Sequence, residues 1–372
     1  MSPRVGNEPR AQTLSGHRRA PSRAVLAVCR SWDDEDMAYD GSTSGPTRSP
    51  LLGLPGAVAG DGIDAPVAAH YGSFTTEQRT LVAREGFVDL SHRGVVRISG
   101  PDRLTWLHSL TSQHLTDLQP GRPTATLILS PQGHVEHAIY GVDDGESFTA
   151  HVEPGRVGDL IAWLERMVFM SRVEIADLSG ELAVAWRPAK VSEEPYSGYD
   201  FVPRAELEAY AAAAGPACGL WAFEALRIER GEARLGLDTD ERTIPNEAGW
   251  IGSAVHLDKG CYRGQETVAR VHTLGRPPRR LTLLHLDGSD PMLPPLGAEI
   301  RVSDAGPDSR VVGTIGTSSR HHELGPIGLA LLKRNVPVDA ELEIAGPQGA
   351  IPATQEVVVD PEVGMHVRPR LR

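Results

Sequence analysis

The sequence predicts an α+β fold with antiparallel sheet, followed by a smaller antiparallel β-barrel or sandwich. Between residues 94 and 185 the hydrophobic pattern switches between strand and helix periods in the order βαβββαββ. Pro131-Gln132-Gly133 joins two of these strands as a hairpin turn. After Pro277-Pro278 the pattern changes to short strands that are separated by Gly and Pro. Hairpins mixed with helices are typical of an α+β domain and not of a doubly wound parallel sheet.

The individual elements follow from periodicity and from residues that begin or end a helix. The first part is predicted to contain a helix over 76–84 with a Thr cap, a strand over 94–99, a helix opened by Gly100-Pro101-Asp102, strands over 124–129, 135–142 and 147–152, a helix over 157–168, and strands over 173–175 and 182–185. Helices over 204–214 and 220–231 follow, and then a long polar loop over 236–252. The last part is predicted to contain strands over 280–286, 298–302, 311–317, 327–332, 342–344 and 353–359.

Length and composition indicate more than one compact unit. The chain has 372 residues, of which 40% are hydrophobic and 23% charged, so two or three cores of ordinary size are expected. Residues 1–65 are rich in Arg, Pro, Gly and Ser without periodicity, which predicts a disordered extension. Met37 follows an acidic run and is the expected natural start. We expect two α+β subdomains over 66–278 and the barrel over 279–372.

Several classes of protein are disfavoured by composition. No apolar run approaches the roughly 20 residues that span a bilayer. The net charge of −12 argues against binding to nucleic acid or anionic lipid. The three cysteines are far apart and form no CxxC pair, so we expect neither a disulfide framework nor a bound metal. This pattern predicts a reducing compartment, the cytoplasm, and we expect a monomer. Abundant Ala, Gly, Pro and Arg with scarce Lys is typical of a bacterial genome rich in G and C.

The densest group of reactive side chains is an octapeptide. Its glycines permit a tight turn, and Lys259 and Arg263 bracket Cys261, where nearby cations favour the thiolate over the thiol. The alternative is a small, buried and unreactive Cys in a Gly-rich turn, with both cations solvated. The octapeptide reads Lys259-Gly260-Cys261-Tyr262-Arg263-Gly264-Gln265-Glu266.

The histidine pair His321-His322 is a weaker candidate for a functional site. Adjacent residues on a strand point to opposite faces, so we expect that His321, His322 and Glu323 do not bind one metal ion. Ser91-His92 lacks the spacing of a nucleophilic triad and is discounted for that reason.

The octapeptide resembles the K-G-C-[FY]-x-G-Q-[ED] signature of the folate-binding YgfZ-type family. The resemblance extends over about residues 66–365 and includes Gly100-Pro101-Asp102-Arg103, Leu129-Ser130-Pro131-Gln132-Gly133, and the stretch from Val312-Gly313-Thr314 to Lys333-Arg334. This family shares its fold with the glycine-cleavage T-protein. The resemblance implies three subdomains around a central channel for tetrahydrofolate. It also implies a role in the assembly or repair of iron–sulfur clusters, with iron–sulfur proteins or cluster-assembly factors as partners.

The resemblance also suggests folate-binding residues. The stretch Leu226–Gly231 looks like a Leu-Arg-x-Glu-x-Gly stretch of the T-protein, which implies that Glu229 recognises the pterin ring beside Arg227. A carboxylate suits this task because its two oxygens accept from paired N–H donors. The alternative is that Glu229 only pairs with Arg227 or Arg230. Glu136-His137 stands where the T-protein has an Asp pair near the reacting folate nitrogen, and either residue is open for that position.

Three hypotheses follow. The first is a tetrahydrofolate-binding accessory protein for iron–sulfur enzymes in which Cys261, with Lys259, carries the chemistry. The second is a folate-dependent aminomethyltransferase similar to the T-protein. The third is a folate-binding regulator without chemistry. The Cys-bearing signature favours the first hypothesis, while the shared fold permits the first two.

Overall fold

The computed structural model describes residues 48–289, 292–303 and 310–366, which form three subdomains. Within this part of the chain, no helix is long and apolar enough to cross a membrane. The helices are α1 (Phe74–Val82), α2 (Arg103–Leu110), α3 (Val157–Glu165), α4 (Leu207–Ala214), α5 (Leu220–Glu229) and α6 (Gln265–Leu274). The strands are β1 (Val58–Ala59), β2 (Ala68–His70), β3 (Phe87–Asp89), β4 (Gly94–Ser99), β5 (Pro123–Leu129), β6 (Val135–Asp143), β7 (Ser147–Val152), β8 (Glu174–Asp177), β9 (Leu182–Trp186), β10 (Tyr199–Pro203), β11 (Ala217–Cys218), β12 (Arg279–Leu286), β13 (Glu299–Val302), β14 (Gly313–His321), β15 (Gly325–Lys333), β16 (Leu342–Gly346) and β17 (Gly349–Val357).

The first subdomain is built around a four-stranded sheet with the order β10-β9-β3-β11. Its neighbours pair antiparallel except β3 and β11, which run parallel. Helices α1 and α5 pack on this sheet, and Val88, Val184 and Phe223 lie in the shared core. The subdomain is discontinuous in sequence because β4 to β8 are inserted between β3 and β9.

The second subdomain is this inserted segment, an antiparallel five-stranded sheet with the order β5-β6-β7-β4-β8. One face packs on α2 and α3 through residues such as Ile98, Leu107 and Leu160. Strand alternation sends neighbouring side chains of β5 to opposite faces, so Ile128 joins that core while Leu127 joins another.

The third subdomain is a closed antiparallel barrel with the order β12-β15-β14-β13-β16-β17. Ala330 and Leu332 of β15 belong to the cluster that also holds Ile300 and Ile344. Leu329 and Leu331 alternate with them and belong to the core shared with the other subdomains. Because both faces of β15 are buried, this strand fixes the barrel against the rest of the protein.

The boundary of the predicted disordered extension is wrong for residues 48–65. Leu51 is only 1% exposed and packs with Phe87 and Leu207. The Ser49 hydroxyl donates to the carboxylate of Asp89 in β3, and β1 pairs with β2. These short turns bury single side chains and therefore leave no periodic pattern in the sequence. The remainder of the predicted extension lies outside the described residues.

Two helices differ from the sequence-based expectation. Helix α1 begins at Phe74 and is capped by the Ser73 hydroxyl, which accepts from the backbone N–H of Thr76, so the predicted Thr cap is wrong. Helix α6 was not predicted at all. Val268 is its one buried side chain, but Val271 and Leu274 follow it at helical spacing, so the sequence carries a short apolar stripe that the prediction missed.

Two glycines hold α6 against the β5–β6 hairpin. Gly133 in the hairpin turn has a φ of 85°, and Gly264, which precedes α6, has a φ of 80°. A Cβ built on Gly264 lies 2.5 Å from the carbonyl oxygen of Ser130 and 2.9 Å from the Cα of Gly133. Both positions therefore require glycine, for its positive φ and for the close approach of the two backbones. The contact joins two of the motifs that carry the family resemblance.

We predict that Gly264→Ala lowers the free energy of unfolding by about 2–4 kcal/mol, because strain at positive φ adds to a backbone clash. Gly260→Ala is the matched control, since a Cβ there meets nothing within 4 Å and its φ is not positive. It should change stability by less than about 0.5 kcal/mol. Urea unfolding of the three proteins measures both values. Equal stabilities for Gly264→Ala and the wild type would contradict the proposed packing.

Candidate functional site

Lys259 in the octapeptide is directed toward the end of α2. Its side chain is buried, and its ammonium donates to the backbone carbonyls of His108 and Thr111. These carbonyls belong to the last turn of the helix and to its C-cap residue Thr111, where no intrahelical donor reaches them. The ammonium also lies 5.1 Å from the ring centroid of Tyr262. Burial lowers the pKa of Lys259 to about 8, so it remains mostly charged at neutral pH.

Arg263 of the octapeptide is paired with Glu136 of the β5–β6 hairpin. One guanidinium nitrogen lies 2.7 Å from a Glu136 carboxylate oxygen, and the guanidinium carbon lies 5.9 Å from the ring centroid of Trp163. Glu136 is the extra residue of a β-bulge, since Ile128 pairs with His137 and Leu129 pairs with Val135. The bulge breaks the strand alternation at Glu136.

His137 has no such contact with the octapeptide. Burial, together with Arg156 and Arg263 and despite the opposing charge of Asp159, lowers the pKa of His137 to about 4. It is therefore a neutral imidazole at physiological pH. Of the two residues that the resemblance left open, Glu136 is the one that contacts the octapeptide.

Cys261 is exposed, in contrast to the buried alternative considered from sequence. The two cations beside it in sequence are bound elsewhere, Lys259 by α2 and Arg263 by Glu136. The hydrogen bonds of both cations therefore go to groups other than the thiol. Gly260 is also exposed, Gln265 donates to the Lys259 carbonyl at 3.5 Å, and Glu266 lies in the first turn of α6, where a carboxylate favours the helix dipole.

Glu229 lies at a separate place, on the wall of a cavity of about 400 Å³. It is the last residue of α5, and 45% of its side chain is exposed. The volume lies within the range typical of small-molecule sites. The cavity wall also contains the aromatic residues Trp186, Tyr196 and Tyr199, together with Arg230 and three further carboxylates, which are Glu193, Glu194 and Glu232.

The two arginines beside Glu229 in sequence have other partners. Arg227 is 3% exposed and pairs with Glu224 at 2.7 Å and Asp238 at 3.0 Å. Arg230 makes two hydrogen bonds to Glu232, at 2.9 and 3.0 Å. The alternative that Glu229 merely pairs with Arg227 or Arg230 is therefore wrong. Arg227 is also too deeply paired to turn toward the cavity.

The cavity contains residues that the sequence analysis missed. Tyr196 has a φ of 59°, an unusual conformation for a bulky residue, and its ring lies 4.8 Å from that of Tyr140. Tyr199 lies 4.5 Å from His151, ring to ring. These residues come from a loop and an edge strand without a motif, so no sequence signal marked them.

The candidate residues thus form two groups and not one. Cys261, Lys259, Arg263 and Glu136 surround the octapeptide, whereas Glu229 lines the cavity. Neither Cys261 nor Glu136 nor His137 lines that cavity or a second one of about 370 Å³ that includes His114 and His256.

The fold is that of the glycine-cleavage T-protein, as the sequence analysis expected, with a C-terminal six-stranded antiparallel barrel. Glycine cleavage system aminomethyltransferase T from Bartonella henselae superposes with a TM-score of 0.70 at 16% identity, over 84% of this chain and 97% of that chain. Residues 55–185 match the family model of the GCVT N-terminal domain.

Curated relatives include two kinds of protein. The Aminomethyltransferase of Nostoc sp. is 26% identical over 73% of this chain and 85% of its own length. The mitochondrial Iron-sulfur cluster assembly factor IBA57 homolog of Neosartorya fischeri is 25% identical over 72% of this chain and 74% of its own. The mitochondrial Iron-sulfur cluster assembly factor IBA57 homolog of Mycosarcoma maydis is 28% identical over 54% of this chain and 57% of its own length. Sequence identity therefore does not separate the accessory-protein and transferase hypotheses.

We predict that a small alkylating reagent modifies Cys261 and not Cys218 in the native protein. Cys218 is 1% exposed, and burial, with the nearby charge of Glu77, raises its pKa to about 12. Timed labelling with iodoacetamide, followed by peptide mass spectrometry, gives the rate at each site. Unfolding in urea is the control and should make both thiols reactive. A native Cys261 that stays unlabelled would show that the thiol is not accessible.

Proposed function

We propose that this protein binds a reduced folate in the cavity beside Glu229 and acts as an accessory protein in the assembly or repair of iron–sulfur clusters. The observation that carries the folate proposal is the carboxylate of Glu229, which lines a cavity of suitable size while both arginines beside it in sequence have other partners. A pterin presents an amino group and a ring N–H as paired donors, and a carboxylate accepts both. The aromatic rings of Tyr196 and Tyr199 supply apolar wall for a flat heterocycle.

Cys261 is the residue proposed to act on the cluster. Its thiol is exposed, and thiolates are the ligands that iron–sulfur clusters prefer. A single thiolate does not hold a cluster, so we propose that Cys261 supplies one ligand while thiolates of the client protein supply the others. The cluster is cargo in this proposal. Relatives of this chain include IBA57 homologs that are named iron-sulfur cluster assembly factors, which supports the proposed role in cluster assembly.

Aminomethyl transfer is the second candidate, favoured by the aminomethyltransferases among the relatives. It needs a polar group beside the folate nitrogen that accepts the one-carbon unit. Glu136 and His137 stand at the corresponding place in sequence. The carboxylate of Glu136 pairs with Arg263 at 2.7 Å, and neither residue lines the cavity of Glu229. We therefore rank transfer below the accessory role.

We predict that Glu229→Ala weakens the binding of 5-formyltetrahydrofolate more than tenfold, because the pterin donors lose their acceptor in a partly dry cavity. Glu232→Ala is the matched control. Glu232 lines the same cavity but is paired with Arg230, so its loss should change affinity less than about threefold. Isothermal titration calorimetry measures all three proteins. Equal affinity of the wild type and Glu229→Ala would remove Glu229 from the site.

We predict that a strain lacking this gene loses aconitase-type activity, and that Cys261→Ser does not restore it although the wild type does. Cys218→Ala is the control for loss of a thiol that is buried. Glycine cleavage should remain normal in every strain. Full aconitase activity with Cys261→Ser would contradict the role of the thiol. Carrier-dependent methylene transfer to tetrahydrofolate by the purified wild type would favour the transferase.

A further inference from the structure

Glu229 occupies a position where a carboxylate is electrostatically unfavourable. It is the last residue of α5, at the end of the helix where the backbone carbonyls concentrate negative partial charge. Neither Arg227 nor Arg230 offsets this charge, since both are paired with other carboxylates. A donor from elsewhere in the chain would hold the carboxylate in one orientation.

The barrel supplies such a donor at the end of β14. His321 is 5% exposed, and its Nε2 lies 3.4 Å from a carboxylate oxygen of Glu229. Its Nδ1 accepts from the backbone N–H groups of Glu323 and Leu324, at 3.2 and 3.1 Å. A ring nitrogen that accepts carries no proton, so the neutral imidazole has its proton on Nε2, which faces Glu229.

The imidazole is held more firmly than the carboxylate. Gln78 of α1 is buried, donates to the carbonyl of Arg320 at 2.8 Å, and accepts from the N–H of His322 at 2.7 Å. The backbone on both sides of His321 is thereby fixed to α1. The side chain of Glu229 is 45% exposed. Any change in the distance between the two groups therefore comes from movement of the Glu229 side chain.

The Nε2–H group of His321 is an incompletely satisfied donor. Among the described residues it makes no hydrogen bond of normal geometry. A buried donor without a partner is unfavourable, so an approach of the Glu229 carboxylate by a few tenths of an ångström lowers the free energy.

His322 also departs from the expectation of opposite faces. Its ring centroid lies 4.6 Å from that of His321, because β14 ends at His321 and a turn follows.

We propose that His321 is a positioning residue that orients the Glu229 carboxylate toward the pterin of a bound folate, so that the barrel completes a site formed by α5. One carboxylate oxygen accepts from Nε2–H, and the remaining acceptor positions face the cavity. This inference rests on the proposed folate binding at Glu229.

The test separates the donor of His321 from its role in the turn. In His321→Asn the amide oxygen replaces Nδ1 as acceptor of the turn N–H groups, but the side chain is too short to reach Glu229. In His321→Gln the amide nitrogen reaches the position of Nε2, while the turn loses its acceptor. Each variant, with His322→Asn as the matched control, is titrated with 5-formyltetrahydrofolate in a calorimeter. The thermal midpoint of each protein is measured in parallel.

We expect His321→Asn to weaken binding about tenfold at a nearly unchanged midpoint. His321→Gln should stay within about threefold of the wild type even at a lower midpoint, and His322→Asn should bind like the wild type. In a Glu229→Ala background, His321→Asn and His321→Gln should bind equally, because the partner is gone. A purely structural role for His321 predicts the reverse order of the two variants.

Wild-type affinity in His321→Asn, or the same loss with and without Glu229, would overturn the positioning role. If the wild type binds folate through Glu229 and the His321 variants do not differ, only this inference fails. If the wild type binds no reduced folate, the proposed function fails and the inference fails with it.

Discussion

Two buried guanidinium groups, those of Arg227 and Arg234, determine how the subdomains meet. Each is only 3% exposed. Burying a charge is costly, and removal of one partner typically destabilises a protein by about 3–5 kcal/mol. Burial by itself would raise the pKa of Asp64, but hydrogen bonds from His92 and Arg234 hold it well below its ordinary value, so this partner stays ionised. Their four carboxylate partners come from different elements. Asp64 lies in the turn before β2, Glu153 directly follows β7, Glu224 lies in α5, and Asp238 lies in the loop after α5. Since Asp238 also accepts from Thr317 of β14, the network fixes the end of α5 against the barrel.

The octapeptide has structural tasks at most of its positions, and they explain its composition. Lys259 binds the carbonyls that end α2, Tyr262 packs in the central core, and Arg263 pairs with the hairpin. Gly264 permits the close contact with the hairpin turn. Cys261 has no comparable contact and is exposed. Packing does not explain the thiol at this position. This is a stronger reason to propose a function for Cys261 than the two cations beside it in sequence.

Short apolar runs separated by Gly and Pro turns were sufficient to predict the hairpin of β5 and β6 and the strands of the barrel, including β5, β12 and β15, which are buried on both faces over much of their length. The patterns failed where burial is local, as for Leu51, and the short apolar stripe of α6 was missed. They also did not predict which way individual side chains point in the folded protein. Lys259 is two residues from Cys261 but binds α2, and the imidazole that lies 3.4 Å from the Glu229 carboxylate is that of His321, which belongs to another subdomain. Contacts between residues so far apart in sequence depend on the assembled fold, which a single sequence does not specify pair by pair.

The separation of the Cys261 thiol from the cavity of Glu229 bears on the proposed function. A transferase brings its reacting groups together around the folate nitrogen, since small misplacements typically cost about a hundredfold in rate. Here Cys261 does not line the cavity of Glu229, and the carboxylate of Glu136 is neutralised by Arg263 at 2.7 Å. A binding protein has no such requirement, because folate can stabilise the arrangement of the subdomains while the thiol meets its partner at the surface. In the proposed function, folate is therefore a ligand that stabilises the folded protein by its own binding energy. Chemistry on a client protein is then left to the exposed thiol of Cys261.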